Sequence, residues 1–397
     1  MKTQKFNGQR LKDALQYREK KMTELAEETG IKKQSLSLYA NEGNTPPYEN
    51  VVKISKALSF PIDYFMTEDN CTVVTGNTYF RSQASATKKS RNSQKIKLEY
   101  VAKMYEVLLN YVNFPELNLP QLDDFSLSNA AEEADSDATY NEIERLAAEV
   151  RKQWGLGLGP IDNLQYVLES NGIIVTGFSD VKADIDAFSQ QVHVDGKKVF
   201  IVALAIGTKP IERLRFDMAH ELGHILMHTW GDDNEEISRD EFNAREKQAN
   251  FFASALLLPR ETFTRSISAY PTNIEYYKSL KKKWKVSMQA MMYRARQLDI
   301  VTDNQFQYMM RIMSKNGGRI KEPGDVPGKI RETIFQGALD LLFDGGYLTV
   351  EELLREFSRY GVIMLQEDLE NLMCLKEGTL NRNAKVIPFI SVKNDFE

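Results

Sequence analysis

The stretch DMAHELGHILMH, residues 217–228, constrains this chain more than any other. The sequence holds only four histidines, and His220, His224 and His228 recur here at every fourth residue. An α-helix turns about 100° per residue, so i and i+4 stand about 40° apart and about 6 Å along the axis. Two imidazoles so placed can aim ring nitrogens at one ion about 2.0–2.1 Å from each. Glu221 is rotated off that pair by one residue, which makes it a poor ligand. It can instead take a proton from water attacking a peptide carbonyl, the chemistry that H-E-x-x-H on a helix supports. At ordinary His and Glu frequencies a chain of this length would show the pattern by chance about 0.003 times. Two hydrogen-bonded core histidines are therefore the weaker reading.

Two histidines leave a catalytic zinc one protein ligand short, and a glutamate commonly supplies it. The segment REKQANFFASALLLP, 245–259, offers Glu246 at the head of an apolar stripe of Ala249, Phe252, Ala253, Leu256 and Leu257. Glu246 is expected as the third ligand in preference to Glu241, because it sits where that stripe is buried. The bland alternative is an acid stabilising a helix N-terminus. His228 lies about 12 Å along the axis from His220, a poor fit to a shared ion. A contact supporting a ligand, an oxyanion contact and a plain core role all stay open for it. His193, in FSQQVHVDG, reads as an exposed residue of a polar turn.

With 397 residues the chain exceeds one ordinary core and calls for two or three domains. Over 6–66, apolar residues at helical spacing are interrupted at Gly30 and at GNTPP, a bundle of short helices. Within it, KMTELAEETGIKKQSLSLYANE (21–42) reads as two helices flanking a turn at Thr29–Ile31, the helix-turn-helix pattern. Lys32, Lys33, Gln34, Ser35 and Ser37 fall on the N-terminal side of the second helix. Those donors suit the phosphates and base edges of double-stranded DNA. The net charge of −5 predicts no general affinity for nucleic acid, yet residues 1–66 carry 11 Lys/Arg against 8 Asp/Glu, locally +3.

The polar stretch from 67 to 95 promises little core. Across 81–103, Arg81, Lys88, Lys89, Arg91, Lys95, Lys97 and Lys103 face Glu99 alone, which reads as a mobile basic arm on phosphates or a solvated linker. A helix over 96–112, an acidic proline-bearing loop, and helices over 140–154 and 161–171 come next. GIIVTGF (172–178) and KVFIVAL (198–204) read as strands. Beyond the HELGH helix come a helix over roughly 240–258, helical sequence over 275–316, a linker GGRIKEPGDVPG, and helical sequence again over 328–374. Cys71 and Cys374 form no disulfide framework, the N-terminus lacks an apolar leader, and no apolar run would span a bilayer. A cytoplasmic setting without membrane contact is expected.

Residues 6–65 resemble the XRE (λ repressor/Cro-like) helix-turn-helix class. Residues from about 140 to 265 resemble the ImmA/IrrE family of zinc metallopeptidases, through GIIVTG, DAFSQQVHVDGKKVFIVAL, ERLRFDMAHELGHILMH and EKQANFFASALLLP. KSLKKKWKVSMQAMMYRARQLDIV is similar to the segment that succeeds the peptidase in that family. The resemblance implies a multidomain chain: an all-α helix-turn-helix bundle (1–67), a basic linker, helix and acidic loop (68–139), and an α+β zincin-like metallopeptidase domain (140–270). A helical extension (271–316) and a mainly helical C-terminal region without assigned role (317–397) complete it. Zn2+ on His220, His224 and Glu246 with Glu221 as base is implied, as is a protein substrate, itself a helix-turn-helix repressor. The expected partners are that substrate, double-stranded DNA and, as a homodimer, a second copy of the chain. Two alternatives stand beside it: an XRE-type regulator whose peptidase-like domain senses a ligand without proteolysis, and a toxin–antitoxin or mobile-element module. Lys21 and Met22 depart from the Thr-Gln pair many XRE domains carry, which weakens the usual N-cap.

Overall fold

A four-stranded sheet separates two hydrophobic cores. The computed structural model describes every residue except 1–4, 42–43, 69, 81–86, 122–124, 126, 128–135, 179–186, 208, 229, 231–237, 316, 319–320, 331 and 382–397, with backbone alone at 77–80. The chain opens with α1 (Gly8–Tyr17), α2 (Met22–Thr29), α3 (Lys33–Asn41), α4 (Tyr48–Leu58) and a 3-10 turn, Ile62–Met66. Next come β1 (Val74–Phe80), α5 (Lys88–Leu109), α6 (Asp137–Gln153), α7 (Leu164–Ser170), β2 (Ile173–Phe178), β3 (Ala187–Val194) and β4 (Lys197–Ala205). The helices α8 (Ile211–Met227) and α9 (Arg239–Leu257) carry the histidine motif and the apolar stripe. They are followed by α10 (Arg260–Ile267), α11 (Ile274–Trp284), α12 (Met288–Gln297) and α13 (Asp303–Lys315). The last three are α14 (Ile334–Asp344), α15 (Val350–Arg359) and α16 (Gln366–Met373).

The sheet order is β1-β3-β4-β2, with β2 parallel to β4 and the other pairs antiparallel. Asp195 and Gly196, at φ 49° and 73°, close the β3–β4 hairpin, since two successive positive φ values match the right-handed twist of the strands. Side chains alternate across the sheet. Phe188, Val192, Val199 and Ile201 join the core of the helix-turn-helix bundle, α5 and α14–α16. Ala187, Phe200, Val202 and Leu204 join the core that extends from α6 to α13.

Several expectations are corrected by this architecture. FSQQVHV is strand β3 rather than a turn, and His193 is half-buried opposite Val74 and Lys198. Ser189, Gln190 and Gln191 conceal the strand because they are buried although polar, Ser189 by donating to Glu221 of α8. The stretch from 67 to 95 supplies β1 and the first turns of α5. Ser93 there donates to the Tyr17 carbonyl at 3.0 Å, and Gln16 donates to the Asn92 carbonyl at 2.8 Å. Nor is the basic segment a mobile arm along α5. Lys97 and Lys103 are buried, Lys97 over the Tyr17 and Phe178 rings and Lys103 2.6 Å from Glu99. Arg81 lies outside the described residues. GGRIKEPGDVPG is docked rather than free: Glu322 accepts from the Met288 and Gln289 amides at 2.8 and 2.9 Å, capping α12, and pairs with buried Lys281 at 3.1 Å.

A buried acid is among the groups that tie the C-terminal helices back. Glu169 of α7 accepts from the Ile334 amide at the start of α14 at 3.1 Å, and from Gln165 at 3.3 Å. Burial pushes its carboxyl up to about 7 despite those hydrogen bonds. A carboxyl raised above its unfolded value of 4.5 gives stability that is complete below pH 4.5 and is lost as pH rises through about 7. Glu169→Gln keeps an acceptor for Ile334 without the charge. It should raise stability at pH 8 by roughly 1–3 kcal/mol and change little at pH 4.5. Thermal melts at the two pH values check this; equal shifts at both would contradict the titration.

Candidate metal centre and DNA-facing helix

Helices α8 and α9 approach closely because small residues meet at their crossing. A Cβ at Gly223 would lie 3.0 Å from a Phe252 ring carbon and 3.3 Å from the Ala249 Cα. That approach lets Glu246, two turns into α9, reach the histidines of α8. His220 Nε2 and His224 Nε2 stand 2.9 Å apart, and Glu246 oxygens lie 3.4 Å and 3.1 Å from them. Donors about 2.0–2.1 Å from a tetrahedral ion are about 3.3–3.4 Å from one another, so this set is close to the size zinc requires. Among the described residues, these three form the one His/Cys/Asp/Glu group compact enough to hold a metal. Burial would raise the Glu246 carboxyl, but contacts with His220 and His224 outweigh it and hold the group well below the usual range. Glu241, the rejected alternative, pairs with Arg245 at 2.5 Å on the same helix.

Glu221 is fully buried, and its Oε2 accepts from the Ser189 hydroxyl of β3 at 2.6 Å. The base candidate is thus oriented from the sheet. His228 caps α8, and its Nδ1 lies 2.9 Å from the His224 Nδ1 while its Nε2 lies 3.0 Å from the Gln248 amide oxygen. Burial, with the His224 ring beside it, holds His228 well below the ordinary imidazole range and so neutral. That oxygen can only accept, so His228 donates from Nε2 and accepts at Nδ1 from His224. His224 then carries its proton on Nδ1 and has its Nε2 lone pair directed toward His220 and Glu246, where an ion would sit. His228 thus holds the His224 ring, and both of its nitrogens are engaged by His224 and Gln248. Sequence reasoning misses Ser189 and Gln248. Gln248 carries a faint signal, two residues past Glu246 and beside a buried stripe. Ser189 carries none when its strand reads as a turn.

A cleft of about 500 Å³ opens one helical turn from His220 and Glu246, lined by Phe216 and Asp217 of α8, Asn250 of α9 and Tyr293 of α12. It is a large enough hollow to take side chains of a polypeptide.

In the N-terminal bundle, Gly30 adopts φ 70° and ends α2 where no side chain is tolerated without strain. Lys21 gives α2 no side-chain cap, but Glu24 accepts from the Lys21 amide at 2.6 Å and partly replaces it. Leu36 and Ala40 bury one face of α3. Lys32, Lys33, Gln34 and Ser37 are exposed at its start, and Ser35 is half-buried.

Residues 183–296 match the Peptidase_M78 family model, described as the IrrE N-terminal-like domain, and residues 11–65 match the helix-turn-helix model HTH_3. No curated protein matches the chain. The resemblance read from both halves of the sequence is thereby upheld: a helix-turn-helix domain and an IrrE-like peptidase domain share one chain.

The hydrogen-bond relay predicts a graded response of the metal site. The purified protein should hold about one zinc per chain, lost in His224→Ala. His228→Phe should keep the fold and weaken zinc about 10–100-fold in chelator competition. An unchanged affinity would leave His228 as mere packing.

Proposed function

We propose that this chain is a zinc-dependent endopeptidase that carries its own DNA-binding helix-turn-helix and cuts a partner repressor of that same class to control gene expression. One observation carries the reading: two imidazole nitrogens and a carboxylate converge at zinc-sized spacing, with the Glu221 carboxylate on the same helix turn. Zinc held there supplies Lewis acidity toward water and a substrate carbonyl. The protein's part is positional. Ser189 fixes one Glu221 oxygen, so the carboxylate is ready to take a proton from the attacking water and return it to the leaving amine. Burial of His220, Glu221 and His224 strengthens each of these interactions.

A sensor that cuts nothing would have no use for a fully buried carboxylate next to the metal ligands and held by a dedicated hydroxyl. A buried charge is costly unless it is paired or put to work. No described helix is long and apolar enough to cross a membrane, which is compatible with a substrate in the same compartment as DNA.

Glu221→Gln is isosteric and should retain zinc while slowing cleavage at least about 100-fold, as loss of a general base does. Co-expression with candidate helix-turn-helix repressors, wild type against the variant and followed for a cut band, reads this directly. A variant cutting at the wild-type rate would remove Glu221 from the reaction. On the DNA side, Lys33→Glu with Gln34→Ala should weaken operator binding about tenfold or more in mobility-shift titrations and flatten its salt dependence. Unaltered affinity would assign α3 to protein recognition.

A further inference from the structure

We infer that the outer edge of β3 is the surface that takes an extended substrate segment, and that β1 is the chain's own occupant of that edge. The inference rests on the peptidase reading above. β3 is the strand whose Ser189 hydroxyl grips Glu221, and the residue opposite Ser189 on its outer side is Tyr79 of β1. A strand paired along this edge therefore runs past the base. The inner edge of β3 is taken by β4, so the outer one is the backbone ladder that a second polypeptide could join beside Glu221. An extended segment gains main-chain hydrogen bonds by adding to such an edge.

β1 is built as a removable occupant. It lies outside both matched regions, 11–65 and 183–296, in the connection between them. Its pairing is irregular, shifting register between Thr75 and Thr78, and Val74 is 62% exposed. The closure depends on Gly76, where a Cβ would lie 2.7 Å from the Gln191 carbonyl oxygen. The segment before it is anchored elsewhere, Thr72 donating from its amide and hydroxyl to Glu106 of α5 at 3.1 and 2.6 Å. The strand can therefore leave β3 while its root stays fixed. With β1 in place the ladder beside Glu221 is filled, and a substrate gains it only by displacing β1.

The test uses the full zinc-loaded chain and a fluorescein-labelled peptide TVVTGNTYF, the sequence of residues 72–80, followed by anisotropy. One variant replaces residues 74–80 with a glycine–serine repeat of equal length, and a second carries Gly76→Val. Both should bind the peptide about tenfold or more tightly than wild type. A third variant, Val74→Cys/His193→Cys, places cysteines at paired positions; its oxidised form should not bind, and reduction should restore the wild-type level. Equal binding by wild type and both opened variants would overturn the inference. So would loss of zinc and of cooperative unfolding in both, because β1 would then be a structural strand. None of these readouts involves cleavage. An opened variant that binds peptide in a protein holding no zinc would sink the peptidase reading and leave the strand exchange standing.

Discussion

The close crossing of α8 and α9 is the contact on which the rest depends. Two imidazoles and a carboxylate can share so small a volume only because Gly223 and Ala249 let the helix backbones approach. A larger residue at either position would push Glu246 outward, and the donor set would lose its fit. The same closeness makes the site electrostatically demanding. Two ring nitrogens and a buried carboxylate this close need a proton or a cation between them, and the hydrogen-bond relay through His228 to Gln248 sets which His224 nitrogen faces that space with a lone pair.

The sheet explains why the polar residues of β3 are where they are. Its back face is packed by α5 and the helix-turn-helix core, so Phe188 and Val192 must be apolar. Its front face meets α8, where the Ser189 hydroxyl donates to the buried Glu221 carboxyl. β3 is therefore buried on both sides, with Gln190 interrupting its apolar back face and Ala187 its polar front face, so a simple buried-against-exposed alternation is missing.

That is also why the sequence discloses some features and hides others. The histidine spacing is a local property of one helix, and the Glu246 stripe is local to another, so both are legible in the sequence alone. Ser189 and Gln248 act across elements distant in sequence; only the nearness of Gln248 to Glu246 hints at it, and nothing near Ser189 marks that residue. The start of α5 is hidden for a different reason. Ser93 buries there because the Tyr17 carbonyl accepts its hydroxyl, and Lys97 and Lys103 bury by lying over aromatic rings. Charge alone points to a solvated arm, and packing overrides it. The helix-turn-helix is legible because glycine at the turn and apolar spacing are again local.

The bundle's attachment has a consequence for how the two halves work together. The Tyr64 and Tyr100 hydroxyls meet at 2.7 Å, and Arg18 makes paired hydrogen bonds to Asp368 of α16 at 2.8 and 2.5 Å while also donating to the Leu58 carbonyl. These bonds join the bundle to α5 and to the C-terminal helices through α1, the end of α4 and the 3-10 turn, and none of them uses the exposed start of α3. The exposed start of α3 is thus left clear by a bundle fixed to the back of the sheet, whose front face meets α8. A bundle on a loose tether could turn freely against the sheet. One bolted to it through α5 and α16 carries the start of α3 and the His220, His224 and Glu246 group on a single framework, so their relative orientation is set by the geometry of α5.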